Sequence, residues 1–163
     1  MTSAMPGRGQ LTLYLPINLG GRLHYALIDS GAEISVLSGA VAEYGEMLRK
    51  GGTLLSNTQC RVSGLTRQVE SVGVMSVPLA LGHDANGPIL KAHFAVHDAN
   101  KYRVILGADI LVSLGASVDL ANRKLTVRAE DGTEMTYRLY DKRQIARTPV
   151  LKDYRAWLEQ EGL

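Results

Sequence analysis

Hydrophobic residues recur at every second position along much of the chain, which is the period of half-buried β-strands. The alternation begins at Leu11 and continues to Ile17, after which Gly20-Gly21 turns the chain. A second apolar segment, Leu23 to Ile28, follows at the distance expected of a hairpin. The pattern therefore predicts a β-hairpin near the start of the folded region.

Similar segments of strand length fill most of the remaining chain. Turn-forming residues separate them, and Asp131-Gly132 joins the last two with a strong hairpin signal. Strands are predicted at Ile34 to Leu37, Gln59 to Val62, Val69 to Leu81, Ile89 to Val96, Tyr102 to Leu106, Val118 to Leu120, Lys124 to Ala129 and Glu134 to Leu139. Strands that are separated by turns, and not by regular helices, predict an all-β sandwich or closed barrel.

Three segments have helical spacing instead. Apolar residues recur at helical intervals from Ala40 to Leu48, and residues 109–114 read as a helical turn closed by Gly115. Near the C-terminus, Thr148-Pro149 resembles an N-cap followed by proline at the first helical position. An apolar face follows it, so a helix is predicted at residues 148–160.

Length and composition suit one domain. The chain has 163 residues, of which 45% are hydrophobic and 21% charged, and its net charge of +2 is too small to favour a nucleic-acid partner. Its one cysteine, Cys60, cannot form an internal disulfide, and no apolar run reaches the roughly 18 residues that span a bilayer. We expect a soluble intracellular protein with a flexible lead at residues 1–9, a domain at 10–140 and a C-terminal extension at 141–163.

The candidate chemistry lies where the second predicted strand ends, at Asp29-Ser30-Gly31. This tripeptide is common, and on its own it is most often a plain turn. Here it follows the apolar segment Tyr25 to Ile28 and precedes another at Ile34 to Leu37. Hydrophobic surroundings of this kind can perturb an acid. Asp29 is therefore the leading candidate for a catalytic carboxylate.

Two segments together resemble the retropepsin-like aspartic proteases of retroviruses and LTR retrotransposons. Ala26 to Leu37 is similar to their catalytic segment, and Val104 to Leu111 resembles the hydrophobic-hydrophobic-Gly strand and short helix behind it. Leu114 to Leu125 is similar in particular to Gypsy-type proteases, and Val62 to Val74 stands where the family has its flap hairpin. The resemblance covers roughly residues 10–130, with the two motifs about 75 residues apart.

The resemblance implies a role for each matched residue. Asp29 would be catalytic, and Ser30 would brace the two loops across a dimer. Gly31 would belong to the catalytic motif and bind the substrate backbone. Substrate binding is implied for Ala32 and Glu33 beside the loop and for Ser63, Gly64 and Leu65 at the flap tip. Support from behind the loop is implied for Ile105, Leu106 and Gly107. One departure is Ala108, because many retroviral enzymes carry there an arginine that pairs with the acid matching Glu33.

The chemistry of peptide hydrolysis gives the expected number of chains. An ionised carboxylate takes a proton from water while a protonated one hydrogen-bonds the scissile carbonyl, so two carboxyl groups are needed. Two such groups about 3 Å apart cannot both ionise, as aspartic-protease dyads illustrate. The chain contains one Asp-Ser-Gly, at Asp29, which excludes a two-lobed pepsin. A homodimer with a symmetric site is therefore expected.

Other candidate sites have simpler explanations. His93 and His97 are four residues apart, but the apolar residues between them alternate as in a strand, which argues against a metal site. Cys60 has no flanking nucleophile motif and reads as a small buried hydrophobe. The basic residues between Arg138 and Arg155 alternate with acids, which favours a solvated face. Neither a metal nor a cofactor is expected.

Two functions from different classes follow from the sequence. The first is an endopeptidase that cuts extended segments of a retroelement polyprotein, in the cytoplasm or within an intracellular retroelement particle. The alternative is a retropepsin fold kept as a dimerisation or peptide-binding module without useful turnover. The intact Asp29-Ser30-Gly31 favours the enzyme, since a binding module has no chemical need for that acid.

Overall fold

The computed structural model describes residues 12–19, 22–38, 53–56, 61–62, 69–70, 73–83, 89–97 and 104–147. Its helices are α1 (Ala108–Ser113) and α2 (Lys142–Arg147). Its strands are β1 (Tyr14–Leu19), β2 (Arg22–Ile28), β3 (Val36–Ser38), β4 (Thr53–Ser56), β5 (Arg61–Val62), β6 (Val69–Glu70), β7 (Gly73–Leu81), β8 (Ile89–His97), β9 (Val104–Leu106), β10 (Ser117–Asp119), β11 (Lys124–Arg128) and β12 (Glu134–Arg138). The predicted all-β class is confirmed.

Six strands close into a barrel in the order β1-β2-β9-β3-β8-β7, and β7 pairs back with β1. The predicted first hairpin is the antiparallel β1–β2 pair, with Tyr14 opposite Leu27. Strand β9 lies between β2 and β3, parallel to the first and antiparallel to the second. This insertion makes the two predicted sequence motifs neighbours in one sheet.

The chain after the barrel forms a separate three-stranded antiparallel sheet in the order β10-β11-β12. Its second turn is the predicted Asp131-Gly132 hairpin, where Gly132 has a φ of +87° that favours glycine. The short helix α1 connects this sheet to β9, and Gly115 ends it with a φ of +57°. Both the predicted helical turn and its closing glycine are confirmed.

Apolar side chains form two buried clusters. The larger one fills the barrel and includes Phe94, Met75 and Leu106, and it continues to Leu125 and Leu139 at the three-stranded sheet. The smaller cluster surrounds Tyr14, Tyr25 and Ile105 and also contains Ile145 of α2. Each large apolar side chain buried in this way contributes about 1.5–3 kcal/mol. The sheet and α2 are therefore packed onto the barrel by hydrophobic contact.

Two elements were not predicted from the sequence. Strand β4 pairs with β7 outside the six-stranded ring, although its segment is short and lacks an alternating pattern. Helix α2 begins at Lys142, before the predicted start of the C-terminal helix. It is capped reciprocally, because the Gln144 N–H donates to the Asp141 carboxylate (2.8 Å) and the Asp141 N–H donates to the Gln144 side chain (2.9 Å).

Several predictions lie outside the described residues. They are the lead at residues 1–9, the Gly20-Gly21 turn, the helix at 40–48, the flap tip at 63–65 and the helix at 148–160. In the part of the chain that is described, no helix has the length and apolar character needed to cross a membrane.

Candidate active site

The Asp29 loop begins where β2 leaves the barrel. Strands β2 and β9 run parallel, with Leu27 opposite Ile105 and Ile28 opposite Leu106. The hydrogen bonding continues one residue further, because the Asp29 N–H donates to the Leu106 carbonyl at 3.0 Å. The backbone of Asp29 is thus fixed by the sheet, while its side chain is at the end of the strand.

The loop is a tight turn that orients the Asp29 side chain. The Ala32 N–H donates to the Asp29 carbonyl (3.1 Å), and the Gly31 N–H donates to Asp29 Oδ1 (3.0 Å). Ala32 is buried, whereas Ser30 and Gly31 are exposed and Asp29 is partly exposed. The arrangement leaves the Asp29 carboxylate held by a backbone amide beside an open surface.

Gly107 lies directly behind this loop. A Cβ at this position would come within 2.8 Å of the Ala32 carbonyl oxygen and of backbone atoms of Ile34, closer than real Cβ atoms approach. The next residue adds a polar contact, because the Ala108 N–H donates to the Ala32 carbonyl at 2.7 Å. The buried residues Ile105 and Leu106 precede it in β9. These three predicted supporting residues thus lie together behind the loop.

Two further residues behind the loop were missed in the sequence analysis. Ser35 and Asp109 are 74 positions apart, and the Ser35 hydroxyl donates to Asp109 Oδ1 at 2.7 Å. Asp109 follows the hydrophobic-hydrophobic-Gly motif closely, but nothing in the sequence shows that its carboxylate meets Ser35. The only indication in the sequence is that one motif contains a hydroxyl group and the other a carboxylate, which are able to form a hydrogen bond.

Glu33 occupies an exposed position on the same loop. The arginine that many retroviral enzymes carry is replaced by Ala108, which has no charged group to offer. Within the described residues, Glu33 takes part in no ion pair. Its predicted part in substrate binding stays a prediction.

The region predicted as the flap is described only at its base. Strands β5 and β6 pair antiparallel, with Arg61 opposite Glu70 and Val62 opposite Val69. Ser63, Gly64 and Leu65, the predicted flap tip, lie outside the described residues. The pairing is that of a hairpin, and the substrate contacts of its tip stay a prediction.

The histidines of β8 illustrate why strand spacing argues against a metal. His93 and His97 both lie in this strand, as the alternating pattern predicts. Residues four apart in a strand are separated by about 13 Å, which is too far for both to bind one ion. Across the described residues, no three His, Cys, Asp or Glu side chains are grouped to hold a metal.

The fold is similar to that of a solved structure. The crystal structure of the retroviral protease-like domain of Ddi1 from Leishmania major covers 81% of this chain, and 96% of that domain is matched. The TM-score is 0.58 and the sequence identity is 24%. The chain has the retropepsin-like fold.

Curated relatives match the same part of the chain. DNA damage-inducible protein 1 from Chaetomium globosum is 31% identical over 120 residues, which is 71% of this chain. The protein of the same name from Neurospora crassa is 26% identical over 123 residues, which is 73% of this chain. The retropepsin-like chain spans about a quarter of the length of these relatives, at 24% and 26%. No family model matches it.

Proposed function

We propose that the retropepsin-like chain is one subunit of a homodimeric aspartic endopeptidase, with Asp29 as its catalytic residue. The observation that supports this most directly is the Asp29 loop. It presents one carboxylate beside an open surface, held by the Gly31 N–H at 3.0 Å and fixed through its backbone to β9. Its neighbours Ser30 and Gly31 are exposed, so that a second subunit and a substrate can reach this carboxylate.

The mechanism follows from two such loops facing each other across a two-fold axis. One Asp29 carboxylate is ionised and takes a proton from a water molecule, which attacks the scissile carbonyl carbon. The other is protonated and donates a hydrogen bond to the carbonyl oxygen as negative charge develops there. The pair shares one proton and titrates as a unit. Ser30, which is exposed next to Asp29, braces one loop against the other.

The substrate that fits this mechanism is an extended peptide segment. It binds between the Asp29 loop and the β5–β6 hairpin, and backbone contacts come from Gly31 and Glu33. The predicted contact from Ala32 is not included, because its N–H and carbonyl are bonded to Asp29 and Ala108. The sequence resemblance to Gypsy-type proteases supports a retroelement polyprotein as its source, in the cytoplasm or in an intracellular retroelement particle. The curated relatives are named for DNA damage induction, so a cleavage assay has to include substrates unrelated to retroelements.

A peptide-library assay tests the proposal. Purified chain is incubated with a mixed library from acidic to neutral pH, with and without pepstatin, and cleavage is read by mass spectrometry. Asp29→Asn keeps the shape of the side chain but cannot ionise, so we expect cleavage to fall by about 10³-fold. Asp119→Asn is the matched control, because Asp119 is another exposed carboxylate bonded to a nearby backbone amide, that of Asn122.

Mixing the chains tests the shared site separately. If each site needs one Asp29 from each subunit, excess Asp29→Asn chain will capture wild-type chain in inactive heterodimers. Activity should then fall with the square of the wild-type fraction, and the rate per chain should fall on dilution. Loss of activity in simple proportion to the wild-type fraction would contradict the shared site. Equal cleavage by Asp29→Asn would contradict Asp29 as the catalytic residue. A folded wild-type dimer without any cleavage would leave a peptide-binding module as the function.

A further inference from the structure

The end of the Asp29 loop is tied to the chain behind it through one buried side chain. Ser35 is fully buried, and its hydroxyl has two partners. It accepts a hydrogen bond from the Gly107 N–H at 2.9 Å and donates one to Asp109 Oδ1 at 2.7 Å. Because the Gly107 amide can only donate, the hydroxyl proton has to point to Asp109.

Asp109 completes this connection with its second oxygen. Its Oδ2 accepts from the Ser35 N–H at 3.1 Å, and its Oδ1 also accepts from the Ile110 N–H at 2.8 Å. One carboxylate therefore receives three hydrogen bonds, two of them from Ser35. The Ser35 carbonyl accepts from the Ala95 N–H of β8 at 2.9 Å, so that this residue is fixed on both sides.

These contacts complete a series along the whole loop. The chain from Asp29 to Ser35 is joined to residues 106–110 at its start by the Asp29 N–H, in its middle by the Ala32 carbonyl and at its end by Ser35. The two ends of the loop are thus fixed on the same rigid segment. A tight turn fixed at both ends has little freedom to move the carboxylate that it presents.

We propose that Ser35 and Asp109 are positioning residues for the Asp29 carboxylate: the two hydrogen bonds that Asp109 accepts from Ser35 hold the loop in the position at which Asp29 meets the Asp29 of the second subunit. This rests on the proposed function. Neither residue touches the reacting atoms. Their effect is on how often the two Asp29 carboxylates reach the geometry of the transition state, and displacements near 1 Å lower rates by about 10²-fold in enzymes.

The pattern of donors explains why the position requires a carboxylate. All three groups that point at Asp109 are donors, namely the Ser35 hydroxyl, the Ser35 N–H and the Ile110 N–H. In Asp109→Asn one oxygen becomes an NH₂ group, which would face at least one of those donors. Asp109→Asn therefore keeps part of the contact with Ser35. Asp109→Ala removes that contact and leaves the bond from the Gly107 N–H to the Ser35 hydroxyl.

The test measures kcat and KM on one peptide that the wild-type protein cleaves. We expect Asp109→Ala and Ser35→Ala to lower kcat by about 10–100-fold with KM within about 3-fold of wild type, because substrate contacts are untouched. Asp109→Asn should lower kcat by less than Asp109→Ala. Ser35→Thr retains the hydroxyl and should recover most of the kcat that Ser35→Ala loses.

The matched control is Asp119→Ala. Asp119 is also an exposed aspartate, and it accepts bonds from the backbone and side chain of Asn122 at 3.0 and 2.8 Å, but it lies in β10, away from the loop. Its kcat should equal that of wild type. All variants are assayed well below their unfolding temperatures and at concentrations where sedimentation shows them dimeric, so that a general loss of stability or of dimer leaves kcat unchanged.

Hydrogen exchange separates this inference from the proposed function. Faster exchange of the Gly31 and Ala32 amides in Asp109→Ala, with unchanged exchange in β11, supports positioning even if no peptide is cleaved. Exchange and kcat both at wild-type values in Asp109→Ala would overturn the proposal. If Asp109→Ala does not fold, Asp109→Asn and Ser35→Ala decide in the same way. A wild-type kcat in both of these variants, or a raised KM with an unchanged kcat, would also overturn the proposal.

Discussion

The Asp29 loop and the C-terminal three-stranded sheet both lie against the barrel, but different contacts hold them. Hydrogen bonds fix the loop at Asp29, Ala32 and Ser35. The sheet is attached through apolar side chains such as Leu125 and Leu139, which are fully buried in the barrel cluster. Hydrogen bonds depend on direction, whereas hydrophobic burial depends mainly on area. The loop thus depends on directional contacts that place an atom. The sheet depends chiefly on burial, together with the backbone hydrogen bonds between Tyr14 of β1 and Tyr140 after β12, at 2.8 and 2.9 Å.

The largest expected effect tests the attachment of the sheet. Leu125→Ala removes a fully buried side chain between sheet and barrel, so we expect a loss of about 3 kcal/mol in the free energy of unfolding. Leu120→Ala is the control, because Leu120 follows β10 with 63% of its surface exposed and should change stability little. Urea denaturation followed by circular dichroism measures both. Similar losses in the two variants would contradict attachment by burial.

The next prediction compares two glycines. Gly107→Ala places a methyl group within 2.8 Å of backbone atoms of the loop, and we expect a loss of about 2–3 kcal/mol. Gly132→Ala, in the sheet, meets nothing within 4 Å, and only its φ of +87° is unfavourable, which costs about 1 kcal/mol. Urea titration of both variants checks the order. A smaller loss at Gly107 would show that the loop can move away from β9.

The third prediction concerns pH and the cap of α2. Burial acts to raise the pKa of Asp141, but hydrogen bonds from Gln144 and Arg123 outweigh it and lower the pKa overall. The charged form therefore contributes stability above the unfolded pKa of 3.8, and that contribution is lost as the pH falls through the lower folded value. We expect Asp141→Ala to lose about 1 kcal/mol at pH 7 and less below pH 3.

Thermal unfolding across this pH range measures the difference between Asp141→Ala and wild type. Arg143→Ala, at an exposed position of the same helix, is the control and should show no such pH dependence. A difference that stays constant from pH 7 to pH 2 would mean that the charge of Asp141 has no part in the cap.

The smallest effect is expected at the surface of the sheet. Arg128 and Glu134 form an ion pair across β11 and β12 at 2.6 Å, with 66% and 51% of their side chains exposed. Exposed pairs of this kind contribute about 0–1 kcal/mol, and salt screens them. Arg128→Ala should change the unfolding midpoint little. A loss as large as that of Leu125→Ala would show that an exposed polar pair stabilises the sheet as much as a buried side chain does.

Local patterns predicted most of the strands. The alternation from Leu11 to Ile17 and the apolar run to Ile28 became β1 and β2, and Asp131-Gly132 became the last hairpin. The pattern failed at β4, because that strand is stabilised by pairing with β7 and its own sequence carries little periodicity. It also failed at α2, whose capping residues Asp141 and Gln144 were overlooked.

The all-β class and the position of Asp29 at the end of a strand can be read from the residues alone, because side-chain periodicity and turn chemistry act over a few residues. The same holds for the distance of about 75 residues between the Asp29 motif and the second motif. The folded barrel was needed to show that β9 lies between β2 and β3, and that Asp109 contacts Ser35 although the two are 74 positions apart. Such contacts depend on how the whole barrel closes, since no local pattern of residues records which distant strand fills a gap.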